Sequence, residues 1–231
     1  MVDENAGRPR RPARLTPGMM DFFASESLDP AVIIQVADES AAGLVRAGRA
    51  SDDPEVTTRL VALVDEIGLS TIAELWSQRP RSSLPGLLWR LYALREWVRC
   101  DPAGASRDYQ AGLAYAGVAA AVAGAPDTPG PHELSALVDE ILRGVFDGDL
   151  GVALHRAAAF CRVVSAGRAS HEGHPLTAQT ADTAPPVGAG GLTGRDGGDP
   201  WSSQLRRAAA IQVTADDLEA GARAWRDGGL V

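Results

Sequence analysis

Lysine is absent from this 231-residue chain, so all 22 basic residues are arginine, and cysteine and aromatic residues are scarce. The two cysteines, Cys100 and Cys161, fall in predicted helices and are too few for a secreted disulfide framework, which predicts a reduced, buried pair. No run of about 18 apolar residues exists, which excludes a membrane span of the usual kind. The N-terminus MVDENAGRPRRPARL lacks the apolar stretch of a secretory signal, so we expect a cytoplasmic protein without membrane contact.

Catalytic and cofactor motifs are also missing. The chain has no Gly-x-Ser-x-Gly elbow, no lysine-containing phosphate loop and no Gly-x-Gly-x-x-Gly fingerprint. The cluster His171-Glu172-Gly173-His174 lacks the His-Glu-x-x-His spacing of helical zinc sites, and no Glu is followed by His three residues later. We therefore predict no cofactor, no metal site and no catalytic residue. A helical enzyme with an unrecognised pocket, using His155 with Asp or Arg side chains, is the third functional hypothesis.

Helical signals dominate the chain. Alanine- and leucine-rich segments with helical periodicity favour helices over strands. Asp29-Pro30, Asp53-Pro54 and Asp101-Pro102 each place a capping Asp before a Pro, which marks a helix start. The pattern predicts helices near residues 17–26, 30–49, 54–67, 71–78, 84–100, 102–123, 131–145 and 149–167. The predicted fold class is all-α: a compact helical bundle or a two-unit helical repeat array, with a linker-tethered C-terminal helical pair.

Part of the sequence is repeated. The hexapeptide Ala62-Leu63-Val64-Asp65-Glu66-Ile67 recurs at residues 136–141, and residues 84–98 align without gaps on residues 150–164. These matches suggest two duplicated units, residues 29–100 and 101–168, stacked as in repeat proteins. Chance reuse of the same few residues in helical cores is the alternative.

Composition divides the chain into four segments. Residues 1–14 carry four arginines against two carboxylates and form a predicted disordered basic arm, and residues 15–168 form the all-helical body. Residues 169–199 are rich in Gly, Pro, Ala and Thr, which predicts a flexible linker. Residues 200–231 regain helical periodicity, and we interpret them as a short amphipathic docking segment.

The C-terminal segment carries the candidate partner-binding residues. Trp201 and Leu205 share one predicted helical face, and Leu218 and Trp225 share another after a cap at Thr214. Helices this short are marginal alone, so their apolar faces must pack on something. They pack on the body of the same chain, or a partner protein binds them; persistent disorder is the third alternative.

The predicted helix 84–100 is apolar on two sides. Leucines and Val98 line one face, and Trp89, Ala93, Trp97 and Cys100 line the opposite one. A helix of this kind is usually enclosed by neighbours, which predicts that it forms the centre of the bundle. The alternative is a groove that exposes Trp89 and Trp97 to a partner.

Arginine is concentrated between residues 79 and 107, where six arginines face two carboxylates. Arg95 and Arg99 fall on one shoulder of the predicted helix 84–100, and a basic strip there suits a phosphate or an acidic partner. Ion pairing with the surplus acids of the body is the alternative interpretation.

The N-terminal arm contains the segment Gly7-Arg8-Pro9-Arg10-Arg11-Pro12. It resembles an AT-hook, an element that enters the DNA minor groove, except that Ala6 stands where the motif has its first Arg. The resemblance implies that Arg8, Arg10 and Arg11 contact DNA. A disordered basic tail is the alternative.

The segments LWRLYALREWVR and ILRGVFDGDLGVALHRAAAFCRVV resemble a family of small all-helical actinobacterial proteins without an assigned biochemical role. The resemblance covers about residues 29–168 and transfers no functional residue. We therefore expect a non-enzymatic, cytoplasmic protein-interaction or adaptor protein, whose helical body and tethered C-terminal helices bind an unidentified protein partner. The alternative is association with nucleic acid or the transcription machinery through the arm and the 79–107 region, which would be strongly salt-dependent.

Overall fold

The computed structural model describes residues 29–126, 128–173 and 200–230, with side chains for all of these except 172–173 and 200–206. The chain divides into two units, residues 1–36 and 37–231. The predicted arm with Arg8, Arg10 and Arg11, the predicted helix 17–26 and most of the predicted linker lie outside the described residues.

The described residues form ten helices and no strand, which confirms the all-α prediction. In chain order these are α1 Pro30–Arg49, α2 Pro54–Val61, α3 Leu63–Ile67, α4 Leu69–Trp76, α5 Leu84–Cys100, α6 Pro102–Leu113, α7 Gly117–Ala123, α8 Pro131–Asp147, α9 Leu150–Gly173 and α10 Pro200–Arg226. None of these described helices combines the length and the apolar character that a bilayer crossing needs.

Local sequence signals set the helix starts. The Asp53 carboxylate accepts a backbone N–H two residues later at 2.9 Å, and the Asp101 carboxylate accepts one three residues later at 2.8 Å. The Ser83 hydroxyl does the same at the start of α5. These caps satisfy N–H groups that have no partner in the first helical turn. The predicted starts at residues 54, 84 and 102 are confirmed.

Several predicted helix limits differ from the structure. The predicted helix 54–67 is interrupted at Ala62, and the predicted helix 102–123 is broken between Leu113 and Gly117. The helix predicted to end at residue 167 continues to Gly173, so the first residues of the predicted linker are helical. No Gly or Pro lies next to Ala62, so the sequence pattern gave no sign of the first interruption, whereas Gly112 and Gly117 flank the second and were an available signal.

The C-terminal segment is one continuous helix, α10, and the prediction of two short helices was wrong. The Thr214 hydroxyl, expected as a cap, donates to the Ala210 carbonyl at 3.0 Å inside the helix. No Gly or Pro lies between residues 201 and 220 to end a first helix. Ala215, Leu218 and Ala222 are fully buried, because α10 packs on α9 and α5 of its own chain.

The most enclosed helix is α9, not α5 as the sequence predicted. Helix α9 packs against α6, α7, α8 and α10, whereas α5 contacts chiefly α4 and α8. Small side chains make this possible: Ala157, Ala158 and Ala159 are all buried, so neighbouring helices approach α9 from several sides.

The crossing of α6 and α9 depends on two glycines. A Cβ atom built on Gly112 would lie 1.9 Å from the Val163 carbonyl oxygen, and one built on Gly167 would lie 1.7 Å from the Asp108 carbonyl oxygen. The two backbones are therefore in direct contact. Just before this crossing, the buried Tyr109 ring packs on Phe160 with 5.3 Å between ring centroids.

Candidate functional site

An open groove of about 640 Å³ runs between α5 and α10, with α9 beneath it. We name it the Trp89–Trp97 groove. Trp89, Ala93 and Trp97 of α5 form one apolar wall, because residues four apart share a helix face. Ile211 and Val213 of α10 also line the groove. Two large aromatic rings, both half-buried, thus border a concave surface that is open to solvent.

This arrangement combines the two interpretations of the tryptophans. Trp89 and Trp97 pack against the core, as expected for a helix with neighbours on both sides, but their side chains also line the groove. The opposite face, with Leu87, Leu88 and Val98, is fully buried as predicted. Both cysteines are free and Cys161 is buried, but Cys100, expected to be buried beside the tryptophans, is exposed at the end of α5 and does not line the groove.

Four arginines, from the segment before α5 and from three helices, surround this apolar surface. They are Arg81, Arg90, Arg168 and Arg207, and Asp217 is the one carboxylate among the described lining residues. The chain as a whole carries a net charge of −8, so the groove is a locally basic surface on an acidic protein. Such a charge difference favours encounter with an anionic partner at this place.

The groove arginines differ in their existing partners. The Arg90 Nε donates to Asp217 at 3.1 Å, and the Arg81 guanidinium lies 3.5 Å from the same carboxylate. Arg168 donates to Asp108 at 2.6 Å, and its guanidinium lies 4.7 Å from the centre of the Trp97 ring. Arg207 has no ion pair within the described residues and is exposed, so it is the most available cation of the groove.

The thiol of Cys161 lies at the base of the groove and is fully buried. Burial raises the pKa of this thiol to about 12, despite the opposing charge of Arg162. The thiol is therefore protonated near neutral pH, and a thiol in that state is a poor nucleophile. No histidine is found among the described residues that line the groove, and His155 lies outside that lining.

The predicted partner-binding residues are dispersed. Leu218 is fully buried inside the protein, which does not leave it accessible to a partner. Trp225 is half-buried near the end of α10, where the Arg49 guanidinium lies 4.8 Å from its ring centre. Trp201 and Leu205 belong to α10, but their side chains are not among those described. Leu218 and Trp225 are not among the residues that line the Trp89–Trp97 groove.

The arginines of the expected basic strip, Arg95 and Arg99, are paired with carboxylates. Arg95 is only 4% exposed; its Nε donates to Asp139 at 2.6 Å, and its terminal nitrogen donates to Asp65 at 3.2 Å. Arg99 donates to Asp65 at 2.8 Å. The alternative interpretation of the sequence, pairing with acids of the body, describes these two residues. They do not form the expected free phosphate-binding surface.

The two copies of the repeated hexapeptide supply the carboxylates that pair with Arg95. Asp65 and Asp139 occupy the same position in the two copies, and both carboxylates bind the Arg95 guanidinium. Partial burial acts to raise the pKa of Asp65, but hydrogen bonds and the positive charges of Arg95 and Arg99 hold that pKa below its usual value. The two copies differ in their helices, since the first begins at the interruption at Ala62 and continues through α3, whereas the second lies within α8.

Sequence reasoning missed Arg168 and Arg207 as members of the groove. Both are far along the chain from Trp97, and they reach the site only because α9 and α10 pack beside α5. The spacing of Trp89 and Trp97 was the available signal, and it identified one wall of the groove. Comparison of the chain with models of protein families, with curated proteins and with solved structures finds no match. The resemblance to the actinobacterial family stays a prediction.

Proposed function

We propose that this protein is a non-enzymatic protein-interaction module that binds an acidic, amphipathic helix of a partner protein in the Trp89–Trp97 groove. The observation that carries the proposal is the juxtaposition of two half-buried tryptophans with a rim of arginines on an otherwise acidic chain. The interaction function expected from the sequence is thereby assigned to the body, with α10 as a wall of the site.

The apolar wall of the groove favours a helical ligand. Trp89 and Trp97 are eight residues apart, which corresponds to about 12 Å along α5. A partner helix lying along α5 would present apolar residues at intervals of three or four to this wall. Tryptophan is among the residues that most often dominate binding energy at protein interfaces, because it removes a large apolar area from water.

The arginines favour an acidic ligand. Arg207 has no carboxylate partner within the described residues, and Arg81 and Arg90 share the single carboxylate of Asp217. Glu or Asp side chains on the polar face of a partner helix would pair with these cations at the rim. Such pairs contribute chiefly to association rate and specificity, and salt weakens them.

The arrangement gives less support to nucleic acid as the ligand. Arg90 and Arg168 are already paired with carboxylates, and the interior pairing of Arg95 removes another candidate phosphate contact. Arg8, Arg10 and Arg11 lie outside the described residues. Binding of nucleic acid in the groove is therefore one of the results that would contradict the proposal.

A displayed library of helical peptides, selected on the full chain, tests the proposal. We expect a consensus with apolar residues three or four apart on one face and Glu or Asp on the other. The consensus peptide is then measured by fluorescence anisotropy against the protein, with its charge-reversed version and a single-stranded oligonucleotide as competitors. A basic consensus, or displacement by the oligonucleotide alone, would contradict the proposal.

A matched pair of charge reversals locates the binding surface. Arg207→Glu places an acid at the groove rim, and we expect it to weaken binding of the acidic peptide about tenfold or more. Arg59→Glu makes the same charge change on α2, at an exposed residue that does not line the groove. Equal loss in both variants would mean that net charge, and not the groove, controls binding.

A further inference from the structure

A second cavity, of about 440 Å³, lies at the C-terminal end of α1 and shares no lining residue with the Trp89–Trp97 groove. Its walls come from α1, from the turn before α5 and from the C-terminal end of the chain. We name it the Arg46–Arg49 pocket. Its apolar lining includes Val45, Leu84 and Leu230, and the Trp225 ring adds an aromatic surface. The volume falls in the range of small-molecule sites.

The pocket has a cationic end. Arg46 and Arg49 are three residues apart on α1, so both side chains project from the same side of the helix. Neither has a carboxylate partner within the described residues: the Arg46 Nε donates to the Ala42 carbonyl at 3.3 Å, and Arg49 lies over the Trp225 ring. None of the hydrogen bonds found among the described residues uses their remaining N–H groups, and an arginine fork matches the geometry of a carboxylate.

The pocket also has a carboxylate of its own, which limits the ligand. Asp38 lies in the lining eight residues before Arg46, about 12 Å away along α1. It forms no ion pair with either arginine. A second anionic group at that end of a ligand would be repelled by Asp38. The chemistry therefore calls for one anionic group, at the arginine end, attached to an apolar body.

We infer that the Arg46–Arg49 pocket binds a small amphipathic monocarboxylate, with the carboxylate on Arg46 and Arg49 and the apolar portion against Val45, Leu84, Trp225 and Leu230. This binding site is separate from the proposed peptide groove, and each site is testable without the other. Arginines in the last turn of a helix also offset the partial negative charge of its carbonyl end. That effect alone accounts for neither the cavity nor the Trp225 surface beside the arginines.

Calorimetric titration of the full chain with octanoate tests the inference. Octylammonium keeps the apolar chain and reverses the charge, and acetate keeps the charge and removes the chain. We expect saturable binding of one octanoate per chain, with both comparison compounds at least tenfold weaker. Absence of octanoate binding, or equal binding of octanoate and octylammonium, would overturn the inference.

Variants of the pocket residues then test whether the measured heat comes from octanoate bound in this pocket. The double variant Arg46→Gln with Arg49→Gln removes both charges from exposed positions, and Ala42→Leu fills part of the cavity while keeping the arginines. We expect each to weaken octanoate binding at least tenfold, with circular dichroism and urea unfolding confirming an intact fold. Arg207→Gln changes the separate Trp89–Trp97 groove and is expected to leave octanoate binding unchanged. Loss in Arg207→Gln with retention in the pocket variants would refute the assignment.

Discussion

Arginines on the two sides of α5 differ in burial and in the number of carboxylates that pair with them. On one side Arg95 is buried and held by Asp65 and Asp139, from α3 and α8. On the other side Arg90 borders an open groove, where two arginines share one carboxylate and Arg207 has none within the described residues. The same residue type serves packing on the first side and is available for binding on the second.

The difference lies in the supply of carboxylates and not in arginine itself. The two copies of the hexapeptide deliver one aspartate each to Arg95, which neutralises the guanidinium and lets it be buried. Among the described residues that line the groove, Asp217 is the only carboxylate, so positive charge remains at its surface. A local excess of arginine in a sequence therefore does not by itself indicate a binding surface.

The largest effect is expected from removing the buried arginine. Arg95→Ala leaves Asp65 and Asp139 without their common partner, and we expect the free energy of unfolding to fall by about 2–3 kcal/mol. Urea unfolding followed by circular dichroism measures the change. Arg59→Ala breaks an exposed pair with Glu55 and is expected to lose less than about 0.5 kcal/mol. Equal losses in the two variants would show that the buried pairing adds nothing.

Removing an aromatic ring from the open side is expected to affect binding more than folding. Trp97→Ala deletes a half-buried ring of the groove, and we expect at least a tenfold loss of affinity for the acidic consensus peptide. Fluorescence anisotropy measures the affinity. Arg95→Ala changes the buried side of α5, so it should retain peptide binding under conditions in which both Arg95→Ala and Trp97→Ala are folded. Retained affinity in Trp97→Ala would remove the groove from the interaction.

A smaller effect is expected from charge placed within the groove. Ala93→Glu and Ala93→Gln add side chains of nearly equal size between the two tryptophans, so the difference between them isolates the charge. We expect Ala93→Glu to bind the acidic peptide about fivefold more weakly than Ala93→Gln at low salt, with the difference shrinking at high salt. A difference that is independent of salt would argue against electrostatic selection.

The smallest expected effect is the pH dependence of the stability that Asp65 contributes on the buried side of α5. The pKa of Asp65 is lower in the folded protein than in the unfolded chain, so its contribution to stability is complete above the unfolded value of about 4. That contribution is lost as pH falls through the lower, folded pKa. We expect Asp65→Asn to be less stable than the parent near pH 7, with the two melting temperatures converging below about pH 4. Parallel melting curves across this range would contradict the assignment.

Much of the helical map was predictable because its signals are local. The limits of α1 and α5 coincide with the predicted ones, since a polar cap and a Pro mark each start. The interruption at Ala62 and the continuity of α10 through Thr214 were not predicted. Both depend on backbone geometry within helix-favouring sequence, where residue preferences differ little.

The candidate site was predictable in part. Helical spacing placed Trp89 and Trp97 on one face, which identified a wall of the groove. The same reasoning assigned partner binding to Leu218, which is buried, and phosphate binding to Arg95, which is paired inside the protein. A helical wheel shows which residues share a face, but it contains no information on which neighbour covers that face.

The sequence by itself determined the all-α character, the main helix starts and the apolar faces, because these follow from periodicity and from caps within a few residues. Only the tertiary structure decided which apolar faces and which arginines remain accessible. Asp65 and Asp139 pair with Arg95, and Arg207 lines the same groove as Trp89 and Trp97, through packing of helices that are distant along the chain. Exposure is a property of such long-range packing, and no local pattern encodes it.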